Sequence, residues 1–214
     1  RRVKMRTTFI LTICIVSLMF WGTFFASAGT ISTNFDKKID DWTVFSGVWT
    51  AEKGVLHQDE MGGPKVIVWN LPGELTDFTI SVKARALTND ADWGLAFHAI
   101  DAQNHYSWQW VNGHLAFVSY VKGSRTEDWT QDKPQEMNTW QDFKIVAKGT
   151  SYDLYWKGDK ITTFEHKALT TGKVGLFTWD QIDFDDFTVT AGDVGTAVST
   201  KGKLTTTWSS IKSK

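Results

Sequence analysis

Between residues 30 and 190 no run with helical spacing lasts beyond two turns. Short stretches instead alternate apolar and polar residues with a period of two, separated by turn pairs. "FTISVKARAL" puts Phe78, Ile80, Val82, Ala84 and Ala86 on one side. "GVWTAEKGVLHQ" reads as a hairpin closed through Glu52-Lys53-Gly54. "VNGHLAFVSY" carries Asn112-Gly113, the strongest short hairpin signal. "FKIVAKGTSYDLYWKGDKITTFE" gives three strands turned at Lys148-Gly149 and Gly158-Asp159, and "GKVGLFTW" and "IDFDDFTVT" complete the set. About a dozen short strands suit a two-sheet antiparallel jelly-roll sandwich better than a seven-strand immunoglobulin sandwich. With 214 residues, 42% hydrophobic, the chain is long enough to bury one core, and we expect a single all-β domain. No internal repeat supports a propeller or solenoid.

The ends differ from this body. "RRVKMR" precedes the apolar run "FILTICIVSLMFWGTFF", and "ASA" follows, with Ala26 and Ala28 as small residues. This is the layout of a signal peptide over residues 1–28, cleaved after Ala28, although the run is also near the length of a membrane anchor. Export makes the protein secreted, periplasmic or held at the cell surface, with no membrane contact after cleavage. The only cysteine, Cys14, lies in the apolar run, so the mature chain has no disulfide, thiolate ligand or cysteine nucleophile. Four of the 23 basic residues and none of the 24 acidic ones lie in residues 1–28, leaving a body with net charge near −5. An acidic body argues against nucleic acid and anionic membrane as partners. Residues 191–214 are rich in Ser, Thr, Gly and Lys. Leu204, Trp208 and Ile211 have helical spacing there, which fits either a loose tail or a short docking segment.

Four stretches occur in a telling order: "DWTVFSGVWTAEKGVLHQ", "GLAFHAIDAQNHYSWQW", "WQDFKIVAKGTSYDLYWKGDKI" and "GKVGLFTWDQIDFDDFTV". Together, across residues 32–190, they resemble the concanavalin A-like lectin/glucanase superfamily. The nearest branches are the laminin G-like jelly rolls and the 3-keto-disaccharide hydrolase-type domains. The resemblance implies two curved antiparallel sheets over residues 29–190, with carbohydrate met on the concave face or at the loop rim. Function is not settled by fold and must be read from the site.

In "HYSWQW", bulky rings share one parity. Burying them is worth several kcal/mol each, so Tyr106, Trp108 and Trp110 are expected inside, with Leu95 and Phe97. His105, Ser107 and Gln109 then face outward, with His98 on the neighbouring strand. Val174 and Leu176 take core parity, leaving Phe177 and Trp179 opposite. A row of His98, Ser107, Gln109 and Trp179, supported by His105, suits a sugar: a flat ring stacks on its apolar face while amide and imidazole bond its hydroxyls. A register slip of one residue would invert this and expose Trp108 and Trp110 instead. Trp129, in "RTEDWTQDKP", which reads as a polar loop, is either a rim contact or a plug over the sandwich edge. Family members often carry Arg where His98 stands, so anionic-sugar recognition does not carry over.

"IDFDDF" holds Asp183, Asp185 and Asp186, which read as paired carboxylates, Asp183 with Asp185, or as a hard-cation site. In related sandwich modules an aspartate on the last strand and another near the first share a structural calcium, and Asp36 and Asp186 match those places. Of the six glutamates, Glu52, Glu60, Glu74, Glu127, Glu136 and Glu165, none begins the E-x-D-x-x-E motif of the superfamily's glucanases. No close-set His pair, G-x-S-x-G elbow or phosphate-binding glycine loop is present. The sequence therefore points to an exported, non-catalytic carbohydrate-binding jelly roll. The alternatives are a hydrolase of the 3-keto-disaccharide type and a surface adhesion or structural module.

Overall fold

A computed structural model describes residues 28–89, 91–134, 136–192 and 194. The expected signal peptide (1–28), apart from Ala28, and nearly all of the tail lie outside the described residues, including Leu204, Trp208 and Ile211. The strands are β1 (Gly29–Thr33), β2 (Trp42–Val44), β3 (Trp49–Glu52), β4 (Val55–Gln58) and β5 (Lys65–Trp69). Then come β6 (Phe78–Ala86), β7 (Trp93–Asp101), β8 (Asn104–Val111), β9 (His114–Val121) and β10 (Ser124–Asp132). The last are β11 (Gln141–Lys148), β12 (Ser151–Trp156), β13 (Asp159–Glu165), β14 (Lys173–Thr178) and β15 (Ile182–Ala191). Every strand pairing is antiparallel, in two sheets: β13-β12-β11-β6-β15-β4-β3 with β1 on β15, and β10-β9-β8-β7-β14-β5-β2.

The turns sit where the residue types require. Lys53-Gly54 has φ of 53° and 78°, and Asn112-Gly113 has φ of 37° and 96°, as two-residue hairpins demand. The Gly158 turn likewise places Lys157 and Gly158 at positive φ. "RTEDWTQDKP" is not a loop: most of it is edge strand β10, paired to β9 through a bulge between Glu127 and Trp129.

The expected parity holds. Tyr106, Trp108 and Trp110 are fully buried between the sheets with Trp93, Leu95 and Phe97. They meet rings of the facing sheet. Trp93 lies 4.7 Å from Phe143 and Phe97 lies 5.2 Å from Tyr152, centroid to centroid. Trp108 Nε1 donates to the Tyr155 carbonyl at 2.9 Å. Two glycines let the seven-stranded sheet close up. A Cβ at Gly94 would meet the Trp108 carbonyl oxygen at 2.0 Å, and one at Gly175 would meet that of Ile67 at 2.0 Å.

Candidate functional site

Trp179 directly follows β14, and Tyr120 lies on β9, three strand spacings away. Their backbones stand about 14 Å apart at ordinary strand spacing, a gap that an indole and a phenol leaning toward each other span. Trp179 Nε1 donates to the Tyr120 hydroxyl at 3.2 Å, and the Phe177 and Tyr120 rings are 5.6 Å apart. The outer face is therefore a trough, with β14 and β9 as opposing walls.

The middle of the trough is the outward parity of β8. His105, Ser107 and Gln109 are fully buried there, and Ser107 Oγ donates to Gln109 Oε1 at 2.8 Å. Gln109 is flanked in register by Gly94 and Ala116, and Ser107 by Ala96 and Val118, all small or slender. His105 stacks on Tyr120 at 4.3 Å and lies 5.7 Å from Phe177. Burial lowers its pKa to about 4, so the imidazole is neutral at physiological pH. Among the described residues Gln109 Nε2 and both ring nitrogens of His105 have no hydrogen-bond partner. Unpaired buried polar groups are costly in a structure and call for an explanation.

Trp179 is held from both sides. Its amide donates to the Asp92 carbonyl at 2.8 Å. Its carbonyl accepts from Lys65 Nζ at 3.2 Å, and the same ammonium bonds the Gly62 and Gly63 carbonyls at 2.6 and 3.0 Å. Beside Trp179 opens a cavity of about 470 Å³, lined also by Asp92, Asn112, Arg125, Glu127 and Asp180. Arg125 pairs with Glu127 at 2.7 Å, and His114 Nε2 lies 3.0 Å from the other Glu127 oxygen. Burial on its own would raise Glu127. The bonds from Arg125 and His114 outweigh it and hold the carboxyl below its usual range. Asp92 is opposite in character: burial lifts it to about 6, against the pull of Arg125 and the Asn112 amide, with Asp180 and Glu127 adding to the rise.

The expected row is thus only partly assembled. Gln109, Ser107, His105 and Trp179 share the trough. His98 does not. A bulge between Phe97 and Asp101 places His98 at a φ of 44° and turns its ring inward, where it is fully buried. It packs 5.4 Å from Phe78 and 5.7 Å from Tyr152, with Nδ1 3.2 Å from the Leu169 carbonyl. Trp129 also faces the core side, 5.9 Å from Trp108, and acts as a plug at the β10 edge rather than a rim contact. The patterning does not single out Asp92, Arg125, Glu127 or Lys65. They come from a loop and strands that only strand pairing brings together. Tyr120 was accessible, since it shares the outward parity of Ala116 and Val118.

On the outer face of the eight-stranded sheet, Asp186 bonds Lys83 Nζ at 2.8 Å, and Asp36 accepts from Asn34 Nδ2 at 2.5 Å. Among the described residues no three acidic, His or Cys side chains form a metal-binding group. The lysine already supplies a cation to Asp186 and competes there with the expected calcium. Lys83 and Asp186 border a polar groove of about 640 Å³ with Ser32, Ser81, Asp142 and Thr188, which has no aromatic wall. Asp183 does not pair with Asp185: it is buried and bound by Arg85 and by His57 Nδ1, the latter at 2.6 Å.

Solved structures share this architecture. The carbohydrate-binding module CBM66 from Bacillus subtilis aligns with a TM-score of 0.65 at 19% identity, over 71% of this chain and 96% of that one. A β-1,3-1,4-glucanase (lichenase) derived from a mouse hindgut metagenome aligns with a TM-score of 0.59 at 9% identity, over 76% and 99%. The GH43 protein BlXynB of Bacillus licheniformis, in a mutant form, aligns with a TM-score of 0.57 at 15% identity, over 75% of this chain and 39% of that one. At these identities the likeness establishes the fold. No curated protein matches the chain. The model of the 3-keto-alpha-glucoside-1,2-lyase-like domain matches residues 30–190. The chain therefore belongs to the 3-keto-alpha-glucoside-1,2-lyase-like domain family.

Proposed function

We propose that this protein is an exported jelly roll that holds carbohydrate in the trough of its seven-stranded sheet. The observation that carries this reading is the floor of the trough. Among the described residues the Gln109 amide nitrogen and the neutral His105 imidazole have no hydrogen-bond partner, and the imidazole lies against the rings of Tyr120 and Phe177. Saccharide hydroxyls supply both donors and acceptors, and the apolar face of a sugar ring complements an aromatic wall. Sites built to hydrogen-bond hydroxyls discriminate strongly, because a ligand lacking them leaves the buried groups unpaired. The likeness to CBM66 supports the same reading, as does the acidic charge of the body, which disfavours polyanions. Export rests on the N-terminal signal pattern.

A glycan-array screen of the purified protein tests this. Binding to a defined set of neutral glycans is the expected result, and it should be lost in Gln109→Leu. A flat array, or binding unaltered by that substitution, contradicts the reading. A second reading, hydrolysis, is favoured by one observation: the carboxyl groups of Asp92 and Glu127 line a single cavity beside Trp179.

A further inference from the structure

We infer that Asn112 is a self-modifying site, at which the Gly113 backbone nitrogen displaces the side-chain amide and turns a neutral wall of the Trp179 cavity into a carboxylate. Water is the only co-reactant. A protein that binds no glycan would undergo the same change.

Asn112-Gly113 forms the turn between β8 and β9, with φ of 37° and 96°. Asn112 is the only asparagine in the chain followed by glycine. The Gly113 nitrogen and Asn112 Cγ are joined through the Asn112 carbonyl carbon, Cα and Cβ, so covalent geometry alone lets a bond between them close a small ring. A side chain on the following residue would crowd that approach, and glycine has none. Both residues are exposed, and a Cβ on Gly113 would meet nothing within 4 Å. Among the described residues neither the Asn112 side-chain amide nor the Gly113 N–H takes a hydrogen bond. Other asparagines are held: Asn34 donates to Asp36, Asn70 accepts from Thr43, and Asn104 donates to Asp101. Asn138 precedes the β-branched Thr139.

The Gly113 nitrogen gives its proton to hydroxide and bonds to Asn112 Cγ. The bond from Cγ to Nδ2 breaks, and Nδ2 leaves as ammonia with a proton from water. Water then opens the cyclic imide. Cleavage between Cγ and nitrogen leaves aspartate in a normal backbone. Cleavage between the main-chain carbonyl carbon and nitrogen leaves isoaspartate, with the backbone routed through Cβ. In sum one amide and one water become one carboxylate and one ammonium, with no oxidant or reductant. The Gly113 carbonyl accepts from Lys133 N at 3.1 Å, a bond that must loosen as the turn rotates, so the native hairpin runs the step more slowly than the unfolded chain.

Asn112 lines the cavity beside Trp179 with Asp92, Glu127 and Asp180, and Arg125 is the one cationic side chain among the lining residues. The Asn112 N–H also bonds the Asp92 carboxyl at 3.2 Å. Burial already lifts Asp92 to about 6, and a new negative charge alongside lifts it again. Isoaspartate lengthens the backbone inside a two-residue turn, which carries that N–H away from Asp92.

The test incubates the purified full-length protein in mildly alkaline and mildly acidic buffer. Peptide mapping follows each asparagine, and an isoaspartate-specific methyl-transfer assay follows the rearranged product. Asn112 should convert about tenfold faster than Asn104 or more, and faster in the alkaline buffer. Asn112→Gly, which takes the positive φ without strain, should abolish methyl acceptance. Asn112→Asp should raise the titration midpoint of Asp92, read by NMR of its carboxyl carbon, since aspartate also tolerates this backbone. Conversion at Asn112 no faster than at Asn104, or methyl acceptance that persists in Asn112→Gly, overturns the inference. So does an Asp92 midpoint that stays unmoved in Asn112→Asp. None of these results depends on whether a glycan binds.

Discussion

The indole of Trp179 and the phenol of Tyr120 meet at 3.2 Å although two strands of the same sheet, β7 and β8, run between the strands that carry them. That contact defines the trough. It makes one wall from the end of β14 and the other from β9, with the polar row of β8 below. Trp179 is held by Asp92 and Lys65 through its backbone, so its ring position does not depend on the bond to Tyr120.

Replacing Trp179 by Ala should weaken glycan binding by about tenfold or more, equivalent to roughly 1.4 kcal/mol. Its melting temperature should fall as well, because the ring packs against the buried cluster that holds Tyr120, Phe177 and Val118. Lys65→Met should weaken binding as well, by freeing the 62–63 loop and the Trp179 carbonyl, while Trp179 fluorescence shifts. Titration calorimetry and differential scanning calorimetry separate the two effects.

His98→Ala should behave in the reverse way. The ring fills the core between Phe78 and Tyr152, so truncation should cost about 2–4 kcal/mol of stability, as for other large-to-small core changes. Affinity measured on the folded fraction should stay unchanged. Urea denaturation beside a binding titration checks both.

The trough has a pH signature of two opposed parts. His105 is held at about 4, below the unfolded value near 6.5, so the folded state resists the proton that the unfolded chain accepts. Its effect is a loss of stability as pH falls through 6.5, reaching about 2 kcal/mol at pH 5. Asp92 is raised to about 6, so it binds its proton in the folded state first and contributes stability as pH falls below 6. His105→Gln should therefore gain stability relative to the native protein between pH 7 and 5, and Asp92→Asn should lose it. Denaturation curves at both pH values give the two differences, and shifts of the same sign contradict the assignment.

Asp183 is nearly fully buried and bridges His57 and Arg85, joining β4, β15 and β6. Asp183→Ala leaves a guanidinium facing an apolar gap and should cost about 3 kcal/mol. Binding in the trough, on the other sheet, should survive. Chelator should shift the melting temperature by less than about 1 °C, since Lys83 already neutralises Asp186. A larger shift would restore the calcium expectation.

The elements of the sandwich could be read from the sequence because they rest on local signals. Period two set the strands, Lys53-Gly54 and Asn112-Gly113 set hairpins, and ring size decided which parity of β8 turned inward. His98 escaped that logic because one extra residue in the bulge after Phe97 reverses parity, and nothing in "FHAID" marks the bulge. Trp129 was placed in a loop because its neighbours are polar, yet polar residues are what an exposed edge strand carries. Asp92, Arg125 and Glu127 were invisible for a different reason. Residue 92 and β10 come together through the pairing of four successive strands, which has no linear motif.

The most direct measurement is a saccharide titration of the purified protein followed by NMR of labelled side chains. The account predicts that the Gln109 amide protons and the His105 ring resonances shift together and saturate with the binding curve, while those of His98 stay still. Saturable binding that leaves Gln109 and His105 unmoved, and shifts the groove around Lys83 and Asp142 instead, would contradict it.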